Sequence, residues 1–300
     1  MINPKNKWRR YKTPLGICIN EKCETVISKY LIPNYQGQIQ LIFTSPPFPL
    51  NRAKKYGNLM GDEYKKWLCD VVKSMLPLLT EDGSIVIEIG NAWNYGEPTF
   101  STLPMETLLS IKNECGLSLC QEFIYYNPAR LPSPIQYVNI DRIRVKDSFT
   151  RVWWFSRSAN PKANNRNVLK QYSKQMKKLL ETGQYNAGER PSEHSISETA
   201  FNNDNGGAIP SNVIIASNTN SRDPYLLRCK ENGIKIHPAR MPFEVPRFFI
   251  NLLTDENDIV MDCFAGSNTT GYCAEEAKRR WISVEADKDY YMGSKYRFMR

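Results

Sequence analysis

The feature that most restricts what this chain can become is a repeated switch of hydrophobic period, from short apolar runs to amphipathic stretches and back. The run Gln40–Phe43 reads as a buried strand, and it stops at Thr44-Ser45-Pro46-Pro47, where two prolines forbid further ladder hydrogen bonds. Tyr64, Trp67, Leu68, Val71, Val72, Met75 and Leu76 then recur at helical spacing until Pro77. A turn at Glu81-Asp82-Gly83 leads into a second apolar strand, Ser84–Ile89, and a helix over Pro104–Cys115 closes at Gly116. Strands follow at Leu119–Tyr126 and Val152–Phe155, both rich in branched and aromatic residues. After a polar interval the alternation returns with helix Val245–Leu253, strand Ile259–Cys263, helix Thr269–Lys278 and strand Trp281–Val284. This order predicts an α/β domain whose mostly parallel sheet is covered by helices on both faces.

From Arg157 to Asn232 the composition turns polar and the periodicity weakens, which predicts loop with one helix near Val168–Leu180. We read this interval as a smaller lobe inserted between two parts of one domain. At 300 residues and 41% hydrophobic content, the chain can bury one substantial core plus such a region. Forty Lys+Arg against thirty-one Asp+Glu give a formal charge of +9, which favours a polyanionic partner but is also common among soluble proteins. No stretch reaches the roughly 20 apolar residues of a membrane span. The basic start (Lys5, Lys7, Arg9, Arg10, Lys12) lacks the apolar segment of a signal peptide, so a cytoplasmic location and no membrane partner are expected. The eight cysteines contain no C-x-x-C pair and no Cys/His cluster of zinc spacing, and are expected to be reduced and structural, with no metal site.

Two short segments carry chemistry. Asp258–Thr270 has the form of a buried strand, a glycine turn and a helix, the place where open α/β sheets bind nucleotides. It is not the dinucleotide fingerprint, which needs a glycine at Asn268. Nor is it a P-loop, since Tyr272 and Cys273 stand where Lys and Ser/Thr are required. About twenty residues on, Glu285 ends the next strand, placed either to accept hydrogen bonds from a ribose diol or to cap the following helix. The second segment, Ser45-Pro46-Pro47-Phe48, combines a hydroxyl, a rigid Pro-Pro that presents a carbonyl, and an aromatic face. An exocyclic amine is a poor nucleophile because its lone pair is delocalised into the ring. A site must accept its N–H hydrogens while a ring such as Phe48 stacks on the base. A loop simply ended by Pro-Pro has the same sequence. No strong general base is implied, because the proton is lost easily once such an amine nitrogen is alkylated.

Together the motifs resemble those of the DNA amino-methyltransferases: Ser, Asn or Asp before Pro-Pro-aromatic for catalysis, and acid-x-Phe-x-Gly for cofactor, here Asp262-Cys263-Phe264-Ala265-Gly266. The catalytic motif comes first, which is the order of the β-group. Further segments are similar to the PvuII-type N4-cytosine-specific enzymes: Lys55–Asn58, Leu131–Pro134, Ile143–Asp147, Val152–Ser156, Asp204–Gly207 and His237–Arg240. The resemblance implies a class I S-adenosylmethionine-dependent methyltransferase with a Rossmann-like seven-stranded sheet. Its catalytic part would span 1–156, a target-recognition insert 157–236 and the cofactor-binding part 237–300. It implies catalytic roles for Ser45, Pro46, Pro47 and Phe48, and cofactor contacts from Asp262, Phe264, Gly266, Ser267, Asn268, Thr269, Glu285, His237 and Pro238. Cys263 departs from the family, where proline is common. The family flips its target base out of the duplex.

Double-stranded DNA is the expected partner. Lys162, Arg166, Lys170, Lys174, Lys177, Lys178 and Arg190 in the insert are candidates for phosphate contact, as is the period-two run Arg142, Arg144, Lys146, read as one face of a strand. A solvated basic surface looks the same. A cognate restriction endonuclease is expected as a functional rather than physical companion, and the enzyme as a monomer or homodimer. The alternatives are an adenine-N6 enzyme, which more often carries Asp or Asn at position 45, a catalytically silent DNA-binding protein of this fold, and an RNA or small-molecule methyltransferase. Cytosine-C5 chemistry needs a Pro-Cys nucleophile, and the sequence has none.

Overall fold

A computed structural model describes residues 8–49, 59–183, 188–189, 191, 195–197 and 201–299. Lys5, Lys7, the Lys55–Asn58 segment and Arg190 lie outside the described residues. The strands are β1 (Arg9–Lys12), β2 (Gly16–Asn20), β3 (Ile39–Thr44), β4 (Leu79–Gly90), β5 (Ser118–Tyr126), β6 (Phe149–Ser156), β7 (Gly188–Glu189), β8 (Ser195–Ile196), β9 (Val213–Ile215), β10 (Ile259–Asp262) and β11 (Arg280–Glu285). Among the described residues nine of them form one sheet in the order β1-β2-β11-β10-β3-β4-β6-β5-β9, and β7 pairs with β8 alone. The seven from β2 to β5 are the Rossmann-like sheet. All run parallel except β6, which lies antiparallel between β4 and β5.

Two strands extend the expected seven. β1 pairs antiparallel with β2, and β9 parallel with β5. β1 reads Arg-Arg-Tyr-Lys, with only Tyr11 partly covered, so an exposed edge strand of this kind has no apolar alternation to betray it. Glu81-Asp82-Gly83, expected as a turn before a strand, instead bulges from within β4: Ile39 pairs with Leu79 and Leu41 already with Ser84. Thr80 Oγ1 donates to Gln40 Oε1 at 2.9 Å and closes the bulge.

The helices are α1 (Cys23–Val26) and α2 (Ile32–Tyr35), joined by a π turn at Ile27–Leu31, then α3 (Gly61–Met75), α4 (Leu103–Glu114), α5 (Lys174–Thr182), α6 (Pro224–Glu231), α7 (Glu244–Leu253), α8 (Thr269–Glu276) and α9 (Lys288–Ser294). On one face of the sheet Ile42, Ile87 and Trp153 pack with Tyr64, Leu68 and Met75 of α3, each burial contributing roughly 1.5–3 kcal/mol. On the other face Phe43 meets Phe249 of α7 at 5.7 Å between ring centroids, and Phe249 meets Phe123 at 4.9 Å. Strand tips are thus held from both sides, and loops that follow them inherit fixed starting points.

The interval expected to be mostly loop contains β9 and α6. Asp223 caps α6, its Oδ1 accepting from Tyr225 N at 3.1 Å, with Pro224 at the first helical position. The helix expected from Val168 begins at Lys174, where Ser173 accepts from Met176 N, because 165–168 form a 3-10 turn first. By compactness the chain comprises two units, Asn164–Ser211 and the remainder, so 157–163 and 212–236 belong with the sheet. In the small unit Lys170 and Ala208 exchange backbone hydrogen bonds of 2.9 Å, and Tyr172 Oη accepts from Asn205 N. Among the described residues no helix is long and apolar enough to cross a membrane.

Candidate active site

β3 and β10 lie side by side, and their last residues bring the two sequence motifs together. Thr44 Oγ1 donates to Asp262 Oδ1 at 2.8 Å across 218 positions of sequence. Asp262 Oδ1 also accepts from Phe264 N at 3.0 Å, and Oδ2 from Thr270 Oγ1 at 2.7 Å. Burial pushes the Asp262 carboxyl up, against these three donors. The carboxylate is therefore consumed inside the fold, as the staple that shapes the turn rather than as an outward-facing group.

Ser45, the next residue after Thr44, donates its hydroxyl to Glu88 on β4, whose Oε1 also accepts from Thr150 Oγ1 at 2.9 Å. Glu88 is buried; desolvation pushes its pKa up, opposed by the Ser45 and Thr150 hydrogen bonds. Residue patterns alone imply no strong general base, and Glu88 is a buried titratable group on Ser45 that they do not name. Its signal was present: one acid inside the otherwise apolar strand Ser84–Ile89. Tyr125, opposite Thr150 across β5 and β6, buries a hydroxyl with no hydrogen-bond partner, and burial followed by the Glu88 charge pushes that phenol up. Pro46 is buried, Pro47 exposed and Phe48 half-buried. The Phe48 ring lies where a side chain at position 90 would have to stand, so Gly90 ends β4 flat beneath it.

The glycine turn after β10 is built as tightly. Gly266 has φ +53°, and a Cβ there would come within 2.9 Å of His237 Nε2. Its N–H donates to Glu285 Oε2 at 2.6 Å, while Asp287 N donates to Oε1 at 2.7 Å. Burial pushes Glu285 up to about 7, against these backbone donors. His237 stacks edge-on to Tyr290 with centroids 4.6 Å apart, its backbone N–H donates to Tyr225 Oη at 3.0 Å, and desolvation pushes the imidazole down to about 4. Its Nδ1 is buried without a partner. Pro238, beside it, is exposed.

Three expected cofactor contacts are turned inward instead. Asn268, at φ 56°, accepts from Gly271 N and Ser283 Oγ and donates to Tyr11 Oη at 2.9 Å. Ser267 and Thr269 share a 3.2 Å hydroxyl contact. Arg297 donates to the Ser267 carbonyl at 2.6 Å and to its Oγ at 3.0 Å. Asn268 caps α8, and the three side chains together lock the turn. Arg297 itself, buried and ion-paired with Asp223 at 3.4 Å, had no sequence signal.

The groups gathered here are the Glu285 carboxylate at a strand tip, Gly266 against Nε2 of the His237 imidazole, and the half-buried ring of Phe264, 5.5 Å from Trp67. A diol, a cationic amino-acid tail and a purine face fit that donor set, which is the chemistry of S-adenosylmethionine.

The basic candidates divide. Lys162 forms ion pairs with Asp255 at 2.7 Å and Asp258 at 2.8 Å, so it is not free for a phosphate. Arg166, Lys170, Lys174, Lys177 and Lys178 are exposed on the small unit. Arg142–Lys146 is not a strand: Arg142 has φ 56°, and the segment belongs to an irregular connection between β5 and β6. At its root a cavity of about 700 Å³ opens among Trp93, Phe100, Tyr126, Arg144 and Phe149.

A Rossmann-like set of seven strands with one reversed, carrying a nucleoside-type turn stapled to Ser-Pro-Pro-Phe, is the arrangement of a DNA methylase. The DNA methylase family model matches residues 39–295, and the chain belongs to that family. It is 45% identical over 263 residues to the type II methyltransferase M.PvuII of Proteus hauseri, covering 87% of this chain and 78% of that one. A solved structure described as PvuII DNA methyltransferase (cytosine-N4-specific) superposes with a TM-score of 0.77 at 36% identity, covering 97% of this chain and 88% of the other. The M1.HpyAVI–SAM complex, at 17% identity and TM-score 0.57 over 94% of this chain and 98% of that one, shares the fold.

Proposed function

We propose that this protein transfers a methyl group from S-adenosylmethionine to the N4 amino group of cytosine in a specific duplex DNA sequence, as the modification partner of a restriction endonuclease. The observation that carries the reading is the junction of Thr44 and Ser45: one residue staples the cofactor turn through Asp262, and the next engages the buried Glu88. Serine at position 45 and the likeness to an enzyme described as cytosine-N4-specific favour cytosine over adenine.

S-adenosylmethionine supplies an electrophilic sulfonium methyl when bound. Glu285 would accept the ribose hydroxyls, Phe264 would cover the purine, and Gly266 with His237 would border the methionine end, Pro238 flanking it. Asp262, Ser267, Asn268 and Thr269 serve that pocket by holding its shape. Phe48 stacks on the flipped cytosine. Ser45 Oγ and the Pro46 carbonyl accept the two amino hydrogens, which favours a pyramidal nitrogen whose lone pair is free to bond to carbon; Pro47 keeps that carbonyl rigid. The nitrogen becomes cationic as its new bond forms. It then loses a proton to Ser45 as the proton of Ser45 passes to Glu88, and burial makes Glu88 a better acceptor than a surface carboxylate. Within the expected insert 157–236, the unit Asn164–Ser211 reads the target sequence, and the enzyme acts as a monomer or homodimer.

The test is transfer of tritiated methyl from S-adenosylmethionine to unmodified duplex DNA by the purified protein, followed by digestion to nucleosides. Label in N4-methylcytosine is the expected result. Label in N6-methyladenine would overturn the base assignment, and no label from cofactor-bound protein would overturn the DNA substrate.

A further inference from the structure

The connection between β5 and β6, residues 127–148, presents aliphatic side chains to water, above all Val145, 86% exposed, and Leu131, 81% exposed. Ile135, Ile140 and Ile143 are exposed as well. The frame beneath them is tied. Asp141 N donates to the Gln136 carbonyl at 2.8 Å, Ile143 N to that of Tyr137 at 2.9 Å, and Asp147 N to that of Ser133 at 3.2 Å. The root is pinned where Asn91 Nδ2 donates to Asp147 Oδ1 and Arg130 to the Phe149 carbonyl, both at 2.9 Å. Exposed apolar surface on a fixed frame marks a place that a partner covers.

Charge says which partner. Arg142, Arg144 and Lys146 alternate with Ile143 and Val145. Arg144 and Lys146 donate to backbone carbonyls, of Pro98 at 2.9 Å and Pro128 at 3.1 Å, contacts that orient the cations without neutralising them. The acids of the segment are Asp141, held by Gln136, and Asp147, held by Asn91. Alternating cation and aliphatic tip suits a surface that is anionic outside and apolar between stacked bases. The place agrees. β6 begins at Phe149, and its next residue, Thr150, both pairs with Gly90, the residue under Phe48, and donates to Glu88.

We propose that Leu131 and Val145 enter the DNA duplex at the step the target cytosine leaves, holding the gap open while Arg144 and Lys146 face the flanking phosphates. The inference rests on duplex DNA being the substrate. Neither side chain has a core role, so the double variant Leu131→Ala/Val145→Ala keeps the melting temperature and the cofactor affinity of the parent. Single-turnover methylation is then measured on a matched duplex and on the same duplex with a mismatched base opposite the target cytosine. Because a mismatch removes much of the cost of opening the pair, the variant is expected to be slowed about tenfold or more on the matched duplex and about threefold or less on the mismatched one. An unchanged rate on the matched duplex, or an equal slowing on both, overturns the proposal. If the parent enzyme labels neither duplex, the DNA reading itself falls and the inference with it.

Discussion

Replacing Glu88 by Gln separates chemistry from folding. The carboxylate is buried, accepts from two hydroxyls and has its pKa pushed up by desolvation. A glutamine fills the same space but is not a proton acceptor, and its amide offers one oxygen where the carboxylate offered two. Losing one hydrogen bond to a charged acceptor costs about 1.5–3 kcal/mol. Losing a positioned general base costs about 10²–10⁴-fold in rate, and we expect kcat of Glu88→Gln to fall within that range. A neutral amide is cheaper to bury than a carboxylate, which offsets that lost hydrogen bond, so the melting temperature should stay close to the parent's. Cofactor affinity should stay near that of the parent, because Glu88 stands on β4 and the cofactor turn follows β10. The assay is single-turnover methyl transfer to duplex DNA, alongside a melting curve and a cofactor titration. The pH profile supplies a second readout: in the parent, kcat falls as pH drops through the raised Glu88 pKa, and in the variant that limb disappears. A kcat within about threefold of the parent, below any loss that base removal allows, would refute the reasoning. So would a rate loss matched by losses of stability and of cofactor binding.

Other expectations follow from the same geometry. Glu285 is pushed up to about 7, so its acceptor form is depleted as pH falls below that value, and S-adenosylmethionine affinity should weaken there by up to about tenfold per pH unit. In Glu285→Gln that dependence, read by calorimetry, should vanish. His237 is pushed down to about 4, so between about 6.5 and 4 the unfolded chain binds a proton that the folded chain does not. Stability is lost as pH falls through that window, by at most about 3 kcal/mol, and His237→Asn should flatten the urea-midpoint profile there. Thr44→Val removes a donor from the buried Asp262, and we expect about 1–3 kcal/mol of destabilisation with a clear rise in cofactor Kd; an unchanged Kd would free the turn from that staple.

Periodicity and turn chemistry made much of this molecule legible. The central strands β3, β4 and β10 and helices α3, α4 and α8 follow from apolar spacing and from Pro and Gly at their ends, and both motifs fall where sheet topology needs them. What escaped was tertiary. β1 is an exposed edge without alternation, and α6 is short, announced only by Asp223-Pro224. Asn268 was read as a ligand contact because of its place in the turn, yet its side chain caps α8, and spacing does not say which way a polar side chain faces. Lys162 looked like any other lysine of a basic region until Asp255 and Asp258, distant in sequence, met it. Glu88 is legible as a lone acid in an apolar strand, which a fold can keep only with hydrogen-bond donors around it.

The most direct test of the account is mass spectrometry of nucleosides from the DNA of cells expressing this chain, beside cells expressing Ser45→Ala. N4-methylcytosine present with the parent and lost with the variant is the predicted result. N6-methyladenine in its place, or N4-methylcytosine undiminished in Ser45→Ala, would contradict it.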